Sequence, residues 1–154
     1  MKKILLAVDD TKSSIRTCEI LIGILGSCLP ENLILLYVEK IEGGSVMDDL
    51  LLSESELKTL KESLQGTEHQ ELLDKKAAKI LTYFADMLAA KGISSVKKVV
   101  RAGHPAEEIM TAAAEEKVDM IVMGSRSQRL HNIFMGSVSR EVSNKAEIPV
   151  LLLR

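Results

Sequence analysis

Lys3-Ile4-Leu5-Leu6-Ala7-Val8 is an almost unbroken apolar run, and two carboxylates, Asp9 and Asp10, follow it directly. A run without alternation is typical of a strand that is covered on both faces in a parallel sheet. Four later segments are also rich in valine, isoleucine and leucine. We predict that these segments form strands as well: Asn32–Val38, Val96–Arg101, Met120–Met123 and Val150–Leu153.

Helical spacing fills the gaps between these strands. Apolar residues recur at intervals of three and four, which places them on one face of a helix. The residues that mark the four predicted helices are Ile15 to Leu29, Ala77 to Leu88, Pro105 to Ala113 and Ser137 to Val142. Asp10 or Thr11 can cap the first helix and Gly92 can end the second. The alternation predicts an α/β fold, a doubly wound parallel sheet with helices on both faces.

The composition limits the classes of function. A chain of 154 residues, 46% hydrophobic and 27% charged, is expected to fold as one domain, 1–154. A net charge of -2 and an aromatic content of 3% make a nucleic-acid partner unlikely on physical grounds. The apolar runs are too short for a membrane helix, and Met1-Lys2-Lys3 leads directly into a strand and lacks the pattern of a signal peptide. We therefore expect a cytoplasmic protein with no membrane partner.

Residues 43–73 are longer than a simple strand-to-helix connection requires. They contain a leucine cluster, Leu50 to Leu52, and a possible capping box from Ser53 to Glu56. We expect a helical or mobile insertion here, and both a lid and a plain helical decoration are open interpretations.

Polar residues follow the predicted strands at the edge where open α/β sheets bind their ligands. Gly124 ends the fourth strand, a basic loop follows, and Gly136-Ser137 starts the last helix. Backbone donors and the helix dipole at such a place favour a phosphate, with side-chain donors from Ser137, Ser139 and Arg126. The alternative is structural: Gly124 permits a tight turn and Ser137 caps a helix.

Five blocks, in this order, resemble the universal stress protein family. They are Ile4–Asp9, Leu35–Val38, Gly103–Ile109, Asp119–Arg126, and Gly136–Ser139 continuing to Ile148–Leu153. The resemblance implies an adenine nucleotide alpha-hydrolase-like fold with five strands in the order 3-2-1-4-5. It also implies an ATP-binding sensor or switch in the stress response, with Mg²⁺ as the expected companion of the nucleotide, and a homodimer formed through the C-terminal strand.

The ATP-binding branch of this family carries the loop Gly-x2-Gly-x9-Gly-Ser/Thr. Gly124 and Gly136-Ser137 match its two ends, whereas Ser127 stands where the middle glycine belongs, and eight residues separate Ser127 from Gly136. The alternative function is therefore a dimeric interaction module of the same family that binds no nucleotide. The cofactor-binding residues that the resemblance and the cradle pattern indicate are Val8, Asp9, Val38, Met123, Gly124, Arg126, Ser127, Gly136, Ser137, Val138 and Ser139.

Other chemistries find little support in the sequence. Asp9 and Asp10 could reach Mg²⁺, but carboxylates after a strand more often cap the next helix. The three histidines lie in different segments and lack the spacing of zinc ligands. No residue pattern indicates a catalytic nucleophile or base, so we expect no catalytic residues and at most slow ATP hydrolysis.

Overall fold

The computed structural model describes residues 2–40, 68–125 and 135–154. Five parallel strands form one sheet, and their bounds are β1 Lys3–Val8, β2 Asn32–Lys40, β3 Val96–Gly103, β4 Met120–Gly124 and β5 Val150–Leu153. They lie in the order β3-β2-β1-β4-β5. The predicted fold class and strand order are confirmed, and each of the five predicted strands is present.

Four helices connect the strands within the described residues: α1 Lys12–Leu25, α2 Glu68–Ala89, α3 Pro105–Glu116 and α4 Ser137–Lys145. Thr11 caps α1 by accepting a hydrogen bond from the amide of Ser14. The apolar pattern predicted that α1 extends to Leu29, and that bound is wrong. Gly26 adopts a φ of 50° directly after Leu25 and ends the helix, because a positive φ is not compatible with continued helical backbone.

The sheet separates two hydrophobic cores. The first core lies under α1 and α2 and includes Leu6, Cys18 and Phe84. The second lies under α3 and α4 and includes Leu5 and Val142. Side chains alternate between the two faces of a strand, so adjacent residues of β1 serve different cores. This two-sided burial explains why the central strands β1 and β4 are apolar at nearly every position.

Three strands run further than their apolar patterns indicate, and β4 does so by one residue, Gly124. β2 and β3 each extend two residues past the predicted end, because they pair with one another as far as Lys40 opposite Gly103. β1 stops at Val8, which lies opposite Tyr37 of β2. The β2–β3 pair therefore projects beyond the end of β1 and forms one wall of the space above it.

Three further features concern the cysteines, the predicted insertion at residues 43–73 and the lengths of the helices. Small buried hydrophobic side chains are the ordinary expectation for the two cysteines of this sequence, Cys18 and Cys28. That expectation is wrong for Cys28, which is exposed, whereas Cys18 is buried and desolvation raises its thiol pKa to about 11. Residues 68–73 of the predicted insertion form the start of α2, and the remainder, 43–67, lies outside the described residues. Of the helices in the described ranges, none combines the length and apolar character that crossing a bilayer requires.

The central position of β1 predicts a large difference between two leucine substitutions. Leu6 is 0% exposed and Leu72 is 64% exposed. We expect Leu6→Ala to lower the free energy of unfolding by roughly 2 to 5 kcal/mol, because it leaves a cavity in the first core. Leu72→Ala, the control, should change it by less than about 0.5 kcal/mol. Urea unfolding measures both, and similar losses for the two variants would contradict this description of the core.

Candidate functional site

Strand order reverses between β1 and β4, where β2 and β3 follow on one side and β5 on the other. Open α/β sheets bind ligands beyond the carboxyl ends of the strands at such a reversal. Leu6 lies opposite Val122, so the ends of β1 and β4, Val8 and Gly124, are level. The pairing of Val8 with Tyr37 brings the next residue of β2, Val38, beside Asp9. The predicted site residues at the ends of β1, β2 and β4 therefore lie at one edge of the sheet.

Asp9 organises the turn from β1 into α1. Its Oδ1 atom accepts hydrogen bonds from the Thr11 amide (2.9 Å), the Ser14 hydroxyl (2.7 Å) and the Thr11 hydroxyl. The Asp9 amide in turn donates to Ser14 Oγ at 3.0 Å. The carboxylate thus satisfies donors at the start of α1, which agrees with the helix-capping interpretation of the sequence.

Gly124 allows β4 to end close against α1. A Cβ atom added at Gly124 would lie 2.9 Å from Thr17 Oγ1 and 3.3 Å from Ser13 Oγ. Thr17 is buried, and its hydroxyl donates to the Ser13 carbonyl at 2.9 Å. The close approach of α1 therefore requires glycine at position 124. Its backbone conformation does not, since Gly124 is not among the described residues with positive φ.

A hydrogen-bond network joins the end of β4 to the start of α4. The amide of Gly136 donates to the Ser125 carbonyl at 2.9 Å, and the Ser125 amide donates to the Leu153 carbonyl at 2.9 Å. The Ser139 hydroxyl is directed at two carbonyls, those of Ser125 (3.2 Å) and Gly136 (3.0 Å). Ser139 is predicted to bind a ligand, but its hydroxyl hydrogen serves this network and holds the two ends of the connection together.

The side chain of Ser125 has a different environment. Ser125 is only 3% exposed, and its Oγ atom is buried without a hydrogen-bond partner. Buried polar atoms without partners are rare, and each needs an explanation. Ser125 follows β4 directly, and its carbonyl accepts from the Ser139 hydroxyl in the first turn of α4, so Ser125 lies beside the start of that helix.

The N-terminus of α4 faces the same edge. Gly136 is the N-cap and no side chain caps the helix there. The first amides of a helix have no partners within it and carry the positive end of the helix dipole. Ser137 is exposed, and Val138 is half-buried against the second core. This geometry suits an anion.

Glu39 is a further polar residue at the edge, and the sequence interpretation assigned it no role. It is 6% exposed, and its Oε1 atom is buried without a hydrogen-bond partner. Gln70 of α2 hydrogen-bonds the same carboxyl group, and Gln70 Nε2 also donates to Asp74 Oδ1 at 3.0 Å. Desolvation, with a smaller contribution from the Asp74 charge, raises the pKa of Glu39.

The N-terminal half of α2 thus overhangs the ends of β1 and β2. Lys76 of α2 forms an ion pair with Asp10 at 2.8 Å. The hydrogen bond from Lys76 lowers the pKa of Asp10, and desolvation raises the pKa of the nearby Tyr37. Lys76 and Asp10 are 66 positions apart in the chain, so no local sequence pattern indicates their ion pair. The sequence therefore did not predict this contact.

Other possible sites are less well supported. Within residues 2–40, 68–125 and 135–154, no three histidine, cysteine or acidic side chains converge as a metal site. His104 lies 3.7 Å from Glu141 and is exposed. A groove of about 390 Å³ opens at the opposite, amino end of the strands, between Lys3, Asn32 and Glu116. It contains none of the predicted site residues.

The structure therefore brings most of the predicted site together. The predicted residues that lie at the carboxyl edge or on the first turn of α4 are Val8, Asp9, Val38, Met123, Gly124, Gly136, Ser137, Val138 and Ser139. Arg126 and Ser127 lie outside the described residues, so the roles predicted for them stay predictions.

This fold defines a class of protein, the doubly wound parallel α/β domains, which bind their ligands at the carboxyl edge where the strand order reverses. The family model described as the universal stress protein family matches residues 1–154. The chain belongs to the universal stress protein family.

Individual relatives agree with this assignment. Universal stress protein YxiE of Bacillus subtilis is 38% identical over 81 residues, 52% of this chain and 54% of the relative. A universal stress protein of Thermus aquaticus is 41% identical over 71 residues, 46% of this chain and 52% of the relative. The chain thus spans about half the length of these curated relatives.

Solved structures match almost the whole chain. The structure of MJ0577, a universal stress protein of Methanocaldococcus jannaschii, has a TM-score of 0.73 and 27% identity, covering 99% of this chain and 94% of that one. A universal stress protein in complex with cAMP has a TM-score of 0.63, and one from Archaeoglobus fulgidus in complex with dAMP has 0.55. At 18% identity each, these last two show the shared fold.

The contact between Gly124 and α1 predicts opposite effects for two glycine substitutions. Gly124→Ala should lower the free energy of unfolding by roughly 1 to 3 kcal/mol, because the new methyl group overlaps Thr17 Oγ1. Gly23→Ala, within α1, meets nothing within 4 Å and should raise stability by about 0.5 to 1 kcal/mol through helix propensity. Thermal and urea unfolding measure both changes. A stabilised Gly124→Ala variant would show that β4 and α1 are further apart than described.

Proposed function

We propose that this protein binds an adenine nucleotide, ATP, at the carboxyl edge of the sheet and acts as a cytoplasmic sensor or switch in the stress response. The observation that carries the proposal is the unpartnered Ser125 hydroxyl beside the start of α4, a helix with no side-chain cap. A hydroxyl donor next to free helix amides suits the phosphates of a nucleotide.

The remaining residues would hold the nucleotide chiefly by their backbones. Val8 and Asp9 lie toward the sugar and base, Val38 lies beside the base, and Met123-Gly124 lie beneath the sugar and phosphates. Ser137, Val138 and Ser139 would contribute amides to the phosphates beside Gly136, whose own amide donates to Ser125, with Arg126 and Ser127 in the intervening loop. Backbone contacts tolerate sequence change, so the proposal does not require a side-chain signature at each position.

Mg²⁺ would enter with the nucleotide and supply charge neutralisation at its phosphates. Asp9 Oδ1 already accepts three hydrogen bonds from the start of α1, which fix the carboxylate at this turn. The proposal is confined to nucleotide binding and includes no hydrolysis step. Nucleotide binding would connect the β1–α1 turn to the start of α4 and change how firmly these elements are held.

The ligands of related proteins support an adenine nucleotide. Universal stress proteins of this fold are known in complex with cAMP and with dAMP, two adenine nucleotides. MJ0577, which is more similar in sequence, belongs to the same family.

A second candidate function is a dimeric interaction module without a nucleotide. Ser127 in place of the middle glycine of the loop motif, and the loop one residue short, favour it. A side chain costs of order 1 kcal/mol where a loop needs positive φ, and a shorter loop displaces the amides that would face phosphate. The titration below separates the two functions.

Calorimetric titration with ATP and Mg²⁺ tests nucleotide binding, and a Ser125→Ala variant tests the site. We expect the wild-type protein to bind, and the variant to bind about tenfold more weakly because one hydrogen bond to the ligand is lost. The empty variant should be as stable as the wild type or more stable, since it no longer buries an unpaired hydroxyl. The absence of heat and of a thermal shift at millimolar nucleotide would refute nucleotide binding and favour the interaction module.

We also propose a homodimer through β5. This strand lies at one edge of the sheet, and three of its four apolar residues are only half-buried. The carbonyls of Pro149 and Leu153 accept from β4, so by strand alternation the backbone groups of Val150 and Leu152 point outward. An unpaired apolar edge of this kind favours pairing with a second copy.

Sedimentation at micromolar concentration tests the dimer. The wild-type protein should sediment with twice the monomer mass. Leu152→Pro removes an outward amide and should yield a monomer with unchanged helical circular dichroism, because proline is tolerated on an edge strand. Leu151→Pro, the matched control, removes an inward amide and should unfold the end of the sheet. A monomeric wild-type protein would contradict the proposal.

A further inference from the structure

We infer that the Glu39 carboxylate recognises the exocyclic amino group of the bound base, an inference that rests on the nucleotide binding proposed above. Glu39 would then determine specificity through a side chain, in addition to backbone contacts at Val38.

The position of Glu39 in the sheet supports this role. β1 ends level with Tyr37, whereas β2 continues through Glu39 to Lys40 in pairing with β3. Glu39 therefore lies past the end of β1, on the wall of the space where the strand order reverses. It follows Val38 directly, and Val38 is the residue proposed to lie beside the base.

One oxygen of the Glu39 carboxyl group has no hydrogen-bond partner, although the group itself is hydrogen-bonded. Gln70 hydrogen-bonds the carboxyl group, which orients it, while Oε1 has no partner. Within the described residues, Glu39 Oε1 and Ser125 Oγ are the two buried side-chain atoms without a hydrogen-bond partner. Glu39 follows Val38 on β2, and Ser125 follows Gly124 at the end of β4, so each comes directly after a residue of the proposed site. In the sheet, β1 lies between β2 and β4. By strand alternation Glu39 shares the face of Tyr37 and the first core, whereas Ser125 shares the face of Met123 and the second core, so the two residues flank the carboxyl edge from opposite faces of the sheet.

The hydrogen-bonding chemistry of Ser125 Oγ and Glu39 Oε1 indicates which end of the nucleotide would lie at each atom. Ser125 Oγ can donate, which suits a phosphate, and a carboxylate oxygen can only accept. At the base end, the acceptor needs a donor from the ligand, and an exocyclic amine has two hydrogens to share between Glu39 and a backbone carbonyl. A metal ion would satisfy the same oxygen, but no cluster of three acidic, histidine or cysteine ligands surrounds it among the described residues.

Comparison of two nucleotides tests the inference. Purine riboside triphosphate lacks the 6-amino group of ATP and keeps the ring, sugar and phosphates. We expect the wild-type protein to bind ATP at least about tenfold more tightly than this analogue, since a hydrogen bond to a charged group is lost and an acceptor stays unpaired. Glu39→Met should reduce that preference severalfold, mainly by weakening ATP, while affinity for the analogue changes little.

Two further variants make the result specific. Glu39→Gln keeps the shape and a neutral acceptor, so it should give an intermediate preference and serves if Glu39→Met does not fold. Glu31→Gln removes an exposed carboxylate before β2 and should leave the preference unchanged, which excludes an effect of net charge. Circular dichroism confirms folding of each variant.

The outcomes separate the two proposals. ATP binding with the wild-type preference retained in Glu39→Met and Glu39→Gln would overturn the role of Glu39 and leave nucleotide binding intact. Failure of the wild-type protein to bind either nucleotide would overturn the proposed function, and this inference with it.

Discussion

Burial of the sheet on both faces is the constraint on which the rest of the structure depends. Ile4, Leu5 and Leu6 are fully buried because helices cover both sides of β1. Polar groups are costly in such a strand, so chemistry is confined to the strand ends. The buried polar residues of the described ranges all lie at the carboxyl edge or in the first two turns of the helices that begin there: Ser14, Thr17, Glu39, Ser125 and Ser139. A covered sheet therefore concentrates its polar interactions at the edge where the strand order reverses.

The sequence predicts β1, β2 and β4 well because strands that are covered on both faces are apolar in most of their residues. The bounds of β1 and β5 agree with their apolar runs. The ends of β2 and β3 are less predictable, since Glu39 and Lys40 interrupt the apolar pattern while backbone pairing with β3 continues. The end of α1 is also missed, because an apolar stripe continues past Gly26 although the backbone there turns away from the helix.

The neighbourhood of the candidate site is predictable from the same principle, since residues that follow parallel strands must meet at one edge. The role of each side chain is not. Ser139 and Gly124 are both expected to face a ligand, yet the hydroxyl of one bonds to backbone carbonyls, and the other is small because Thr17 lies against it. Such roles depend on which helix packs over which strand. The rule for open sheets selects Glu39 by its place after the second strand, but nothing in the sequence indicates its burial, because a charged residue near a strand end is usually solvent-exposed.

The alternation of β1 between two cores also bears on how mutations combine in this protein. Leu5 packs with Val142 of α4, far along the chain, whereas its neighbour Leu6 packs with Cys18 and Phe84 on the other side. Energetic coupling follows contact and not proximity in sequence. Substitutions at adjacent positions of this strand therefore act on separate packing environments and tend toward additivity, while epistasis is concentrated between distant positions that share a face. Each face of the sheet is in this sense free to diverge without the other.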